Sequence, residues 1–95
     1  MERPEKPASN TVKRAVAWLS EVQEMLIVKN AKYGDSAANP IRVFSRASPV
    51  EQLLVRIDDK LSRIARADGL LDADEDVLRD LVGYVALLAA LKHKE

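Results

Sequence analysis

Apolar residues recur three and four positions apart in three separate stretches of the chain, and no stretch alternates at a spacing of two as a half-buried strand would. In the first stretch Val12, Ala15, Val16, Leu19, Val22, Leu26 and Ile27 fall within one arc at 100° per residue. This predicts a helix over 11–32, with Ser9, Asn10 or Thr11 as its N-cap. The second stretch opens on Ser48-Pro49-Val50-Glu51. There the serine can accept from first-turn N–H groups, the proline ring suits the first helical position, and the glutamate can reach back to the cap. Its stripe of Val50, Leu53, Leu54, Ile57, Leu61 and Ile64 predicts a helix over 49–67, with Gly69 as the left-handed stop. Asp72-Ala73-Asp74-Glu75 repeats the capping pattern and predicts a third helix over 73–92, striped by Leu78, Leu81, Val82, Val85 and Leu88. Lys92, His93 and Lys94 suit its negative pole, which assigns the lone His93 to the surface rather than to a ligand set.

The remaining segments read differently. Residues 1–9 carry Pro4 and Pro7 among charges without any period, which predicts a disordered N-terminal arm ahead of one helical domain over 10–95. Between the first two helices, Gly34, Ser36, Asn39, Pro40 and Ser45 predict a long loop where about 2 to 8 residues is usual. Such a loop is either functional or holds a short helical turn near 41–44. The expected fold class is all-α, with three main helices.

Two of those helices are apolar on more than one face. Beyond its main stripe the first carries Ala17, Trp18, Met25 and Val28 with Glu21 and Glu24; the third carries Tyr84, Leu87 and Leu91 with Asp76 and Asp80. Three helices of this length cannot bury one another's two faces, so the pattern predicts a helical-bundle homo-oligomer, a dimer or tetramer. Trp18, Met25, Leu87 and Leu91 are the expected interface residues.

Composition narrows the function classes. Fifteen basic and fifteen acidic side chains in 95 residues give no net charge, so no broad positive field exists to hold a polyanion, and general nucleic-acid binding is excluded. The halves differ, however: residues 1–50 carry eight basic and five acidic groups, and residues 51–95 carry seven and ten. A basic half can meet phosphate while an acidic half holds a divalent cation, although mutual complementarity explains the same asymmetry. The absence of Cys removes disulfides and thiolate chemistry. No apolar run approaches the roughly 20 residues of a membrane span and the start lacks a signal-peptide pattern, so a cytoplasmic protein without a membrane partner is expected.

The candidate chemistry lies with carboxylates. Glu21 and Glu24 stand three apart and Asp76 and Asp80 four apart, so each pair projects from one side of its helix and can grip one cation. Magnesium is the natural ion, because it takes a few carboxylates together with substrate phosphates. The plain alternative bridges these acids to Lys13, Arg63 or Arg79. Lys29, Lys32 and Arg42 can neutralise phosphates and Tyr33 can stack on a base, or the lysines can serve the helix pole and Tyr33 can pack where Gly34 turns the chain. Asp58 and Lys60 flank the second stripe and are expected to face the site, while Asp58, Asp59, Lys60 and Arg63 also suit surface ion pairs. No Gly-rich phosphate loop, His-based zinc spacing or nucleophile elbow competes.

Three segments carry a resemblance: Lys29-Asn30-Ala31-Lys32-Tyr33-Gly34-Asp35-Ser36, RIDDKLSRI over 56–64, and EDVLRDLVGYVALL over 75–88. They resemble the phage and prophage nucleotide-modification-associated proteins, with their K-N-x-D-Y-G-x-S signature, a D-K-x-x-R element and a D-x-x-x-D-L-x-x-Y element. Those proteins are similar in turn to the MazG-like all-α nucleoside triphosphate pyrophosphohydrolases, helical dimers or tetramers that bind magnesium through helix-borne acids. The resemblance puts the E-x-x-E acids on Glu21 and Glu24 and one acid of the E-x-x-D on Asp80. Val77 stands where the second acid belongs, which leaves Asp76 to substitute, and Lys32 stands where the signature has an Asp. The resemblance implies magnesium at Glu21, Glu24, Asp76 and Asp80, and a nucleotide against Lys29, Asn30, Lys32, Tyr33, Asp58, Lys60, Arg63 and Tyr84. Two outcomes are open on these residues: hydrolysis of a nucleoside triphosphate to monophosphate and pyrophosphate, or nucleotide binding without turnover. The rival class is a non-enzymatic helical module that inhibits or scaffolds a larger phage or host assembly.

Overall fold

The structure is a computed structural model that describes residues 2, 5–40, 44–67 and 75–93, with Glu75 described by its backbone alone. Three helices make up the described fold: α1 over Asn10–Tyr33, α2 over Pro49–Arg66 and α3 over Glu75–Lys92, with no strand among the described residues. The all-α expectation is met. Of the predicted short turn near 41–44 Phe44 is described, exposed and outside any helix, while 41–43, the stop at Gly69, the cap at Asp72, and Arg42 and Lys94 lie outside the described residues.

Local chemistry sets the helix ends. At the start of α1 the Ser9 hydroxyl accepts the Val12 N–H at 3.2 Å, and at its end the Gly34 N–H returns to the Asn30 carbonyl at 2.8 Å. Gly34 sits at φ 69°, a left-handed value that a side chain would strain. Ser48 caps α2 by accepting the Glu51 N–H at 3.1 Å, with Pro49 at the first helical position. Residues 5–9 are exposed and lie outside any helix.

The helix α3 occupies the middle. It packs extensively on α2 and more lightly on α1, while α1 and α2 do not pack on each other. Among the described residues the buried apolar side chains are Val22, Leu53 and Val77, one from each helix, with Leu53 fully buried. The radius of gyration is 15.7 Å, where about 12 Å is expected of a compact chain of this length.

The helices are turned relative to the sequence expectation. On α1 the side carrying Val22, Met25 and Lys29 meets α3, where Gly83 leaves room for Met25 and Leu26. Trp18 and Met25 are therefore half-buried within the chain, and the expected core positions Val12, Val16, Leu19 and Ile27 keep about half their surface open. Leu87 and Leu91, also expected at an interface, are half-buried as well. On α2, Leu53, Ile57 and Ile64 turn inward, whereas Val50, Leu54 and Leu61 are exposed. On α3 the buried positions are Val77 and Gly83, both outside the predicted stripe, and Val85 within that stripe is half open. The physical reason is that a helix apolar on several sides has no single direction of docking, so the partner helix decides it.

A charged groove between α1 and α3

Helix spacing and the α1–α3 contact gather a mixed set of charges. Glu21, Glu24, Met25, Val28 and Lys29 come from α1, and Asp76, Arg79 and Asp80 from α3. Together they line an open groove of about 640 Å³. The residues on α1 recur at three and four, as do those on α3, so each helix offers one continuous edge to the groove. Met25 and Val28 give it an apolar part.

Asp80 is the best-connected acid. Lys29 Nζ donates to its Oδ1 at 3.1 Å, and Lys60 Nζ lies 3.1 Å from its Oδ2, so one carboxylate ties α3 to both other helices. Lys60 is buried, which is unusual for a lysine unless a counter-charge meets it. Burial pushes the Asp80 carboxyl up, but the hydrogen bonds from Lys29 and Lys60, reinforced by their charges, outweigh it and hold the carboxyl below its ordinary value. At the other end of the groove Arg79 Nη2 donates to Glu21 Oε2 at 3.4 Å, and its Nη1 lies 4.0 Å from Asp76 Oδ1.

The four acids predicted to share a metal thus share one groove, three of them bridged to bases of the same chain. Bridging to Arg79 was foreseen as the plain alternative; the bases on Asp80 are Lys29 and Lys60. Among the described residues no three acidic or imidazole side chains are grouped closely enough to hold one ion. An ion held by Glu21, Asp76 or Asp80 would have to exchange places with the ammonium or guanidinium that bridges it. Val77, at the position where the resemblance wants an acid, is buried apolar core.

Of the predicted nucleotide contacts Lys29 alone lines the groove; Lys60, expected with Asp58 to face it, is not a lining residue and stands buried behind Asp80. Asn30, Lys32, Tyr33, Asp58, Arg63 and Tyr84 are not among the lining residues. Tyr33 is exposed, with Lys32 Nζ 5.2 Å from its ring centroid; Asp58 is exposed; Arg63 Nε pairs with Asp59 at 3.3 Å along α2. Tyr84, one turn beyond Asp80, is half-buried. Sequence reasoning missed Met25 and Val28 as groove walls. Their spacing to Glu21, Glu24 and Lys29 was the available signal.

No protein-family model, no curated protein and no solved structure matches this chain.

Proposed function

We propose that the groove between α1 and α3 is the nucleotide site of a homo-oligomeric, MazG-like helical protein of phage nucleotide metabolism. The observation that carries the reading is the mixture of groups around one opening: four carboxylates, Lys29 and Arg79, and the apolar surface of Met25 and Val28. In this reading the internal ion pairs are placeholders. A triphosphate would draw Lys29 and Arg79 off their carboxylates, and magnesium carried on the phosphates would be taken by Glu21, Glu24, Asp76 or Asp80, in keeping with the few protein ligands this ion needs. Binding without turnover is the form the residues support best, because Val77 supplies no carboxylate and every change that adds one there would place a charge in the core. Self-association belongs to the same reading, since the open apolar residues of α1 and α2 find no cover within the chain.

Thermal melts with magnesium and a panel of nucleoside triphosphates test the site. A ligand at 100 times its dissociation constant stabilises by about 2.7 kcal/mol, and each kcal/mol moves the midpoint of so small a domain by about 4 to 8 °C. An upward shift that needs both magnesium and triphosphate, and that Lys29→Ala removes, is the expected result. A flat response to millimolar nucleotide would sink it.

A second reading, a non-enzymatic interaction module, draws on one observation: the acids are already matched by Lys29, Lys60 and Arg79, while α1 presents apolar surface. It gains if no nucleotide shifts the melt.

A further inference from the structure

The open side of α1 has a regular order. Val12, Val16, Leu19, Gln23, Leu26 and Asn30 follow one another at steps of four, three, four, three and four, the repeat of a two-stranded coiled coil. This seam lies about a quarter-turn around the helix from the side that meets α3. Leu26 is shared between the two sides and half-buried; the other five are exposed. No charged residue falls on the seam, and Ile27 widens it with more open apolar surface.

The amount of open surface argues for a second copy of the chain as the occupant. The protein exposes 7940 Å², where a compact monomer of 10.6 kDa exposes about 5,500 Å². That excess of about 2,400 Å² is spread over the whole chain, the N-terminal arm and the connections included, and the seam of α1 is an ordered apolar part of it, where a specific interface takes about 800 Å² from each partner. The seam also dictates orientation. In heptad terms Val16, Gln23 and Asn30 hold the a positions, and Val12, Leu19 and Leu26 hold d; the one β-branched a residue, Val16, with leucines at two of the three d positions suits two strands, and the two amides at a set the register. Parallel and in register, Gln23 meets its counterpart and Asn30 meets its counterpart, and an amide both donates and accepts, so each pair satisfies itself. Turned antiparallel about Gln23, the same helices would set Asn30 against Val16 and leave the amide facing methyl groups.

We infer that two copies of this chain associate through α1, parallel and in register, along the seam from Val12 to Asn30. The inference rests on the self-association in the proposed function and is independent of any nucleotide. It leaves the groove on the outer flank of the pair, with Lys29 and Asp80 accessible.

The chain has no Cys, so single-cysteine variants report geometry cleanly. A disulfide needs Cα atoms about 4.4 to 6.8 Å apart, a distance that a paired a layer meets and the far side of α1 does not. Under mild oxidation Asn30→Cys should give a cross-linked dimer at least about tenfold faster than Ala17→Cys, which lies on the opposite side of the helix. Leu19→Asp should convert the dimer seen by sedimentation to a 10.6 kDa species with unchanged helicity. A dimer in which Ala17→Cys cross-links as fast as Asn30→Cys overturns the seam while leaving self-association intact. Cross-linking confined to a mixture of Val16→Cys and Asn30→Cys overturns the parallel orientation. A monomer at hundreds of micromolar overturns self-association and the seam together.

Discussion

Lys60 Nζ and Asp80 Oδ2 stand 3.1 Å apart and join α2 to α3 where the lysine is nearly covered. A buried ammonium is tolerated only while its counter-charge is present, and the second oxygen of the same carboxylate holds Lys29. Asp80→Asn would leave Lys60 buried without that charge, and it should destabilise the fold by about 3 kcal/mol in urea unfolding. Lys60→Met combined with Asp80→Asn should recover part of the loss, because a thioether can be buried where an unpaired ammonium cannot. A destabilisation under 0.5 kcal/mol, on the scale of an exposed pair, would show that the bridge is only a surface contact.

The pH dependence follows from the lowered Asp80 carboxyl. Its folded-state value lies below that of the unfolded chain, so as acid is added the unfolded form takes up the proton first. The stabilisation is complete above the unfolded value, near 3.9, and is lost as pH falls through the folded one. The stability gap between wild type and Asp80→Asn should therefore be widest near about pH 6 and close in stronger acid. A gap that stays constant down to about pH 2 would assign the effect to packing.

Gly83 is the point where α1 rests on α3. A Cβ there would come 3.1 Å from Met25 Cε and 3.4 Å from Leu26 Cδ2. Gly83→Ala should be close to neutral, since the tight contact falls on the end of a flexible side chain and alanine gains about 1 kcal/mol of helix propensity. Gly83→Leu has no such compensation and should cost about 1 to 3 kcal/mol by forcing the helices apart. Measured by chemical unfolding, equal effects of the two substitutions would mean that α1 does not seat on this residue.

Within α2 the two faces should respond unequally. Leu53 is 1% exposed and Leu61 is 48% exposed. Leu53→Ala should cost about 2 to 5 kcal/mol, and Leu61→Ala should cost well under half of that in the dissociated chain. Equal costs would place Leu61 in a core that the single chain lacks.

The helices themselves were legible because their signals are local. Ser48-Pro49 caps α2 where the sequence puts it, and Gly34 ends α1 one residue beyond the expected boundary. The four acids were legible as two pairs, since three- and four-residue spacing fixes a helix side without any knowledge of neighbours. Which way α1 turns was not legible: the stripe of Val12, Val16 and Leu19 is as apolar as the side that docks, and the choice is made by space at Gly83 and by the charge on Asp80, both on another helix. Lys60 shows the same limit. Its sequence neighbours read as a surface ion-pair run, and only the approach of α3 buries it.

The central place of α3 also sets an order of events in the native state. Because α1 and α2 do not pack on each other among the described residues, detaching α1 breaks its contact with α3 and the Lys29 and Glu21 bridges, while the α2–α3 hairpin keeps Leu53, Val77 and the Lys60–Asp80 pair. Amide protons of α1 should then exchange through a low-energy opening, and those of α2 and α3 through a costlier one. The molecule behaves as a hairpin with a hinged arm, and whatever clasps that arm from outside raises the protection of α1 alone.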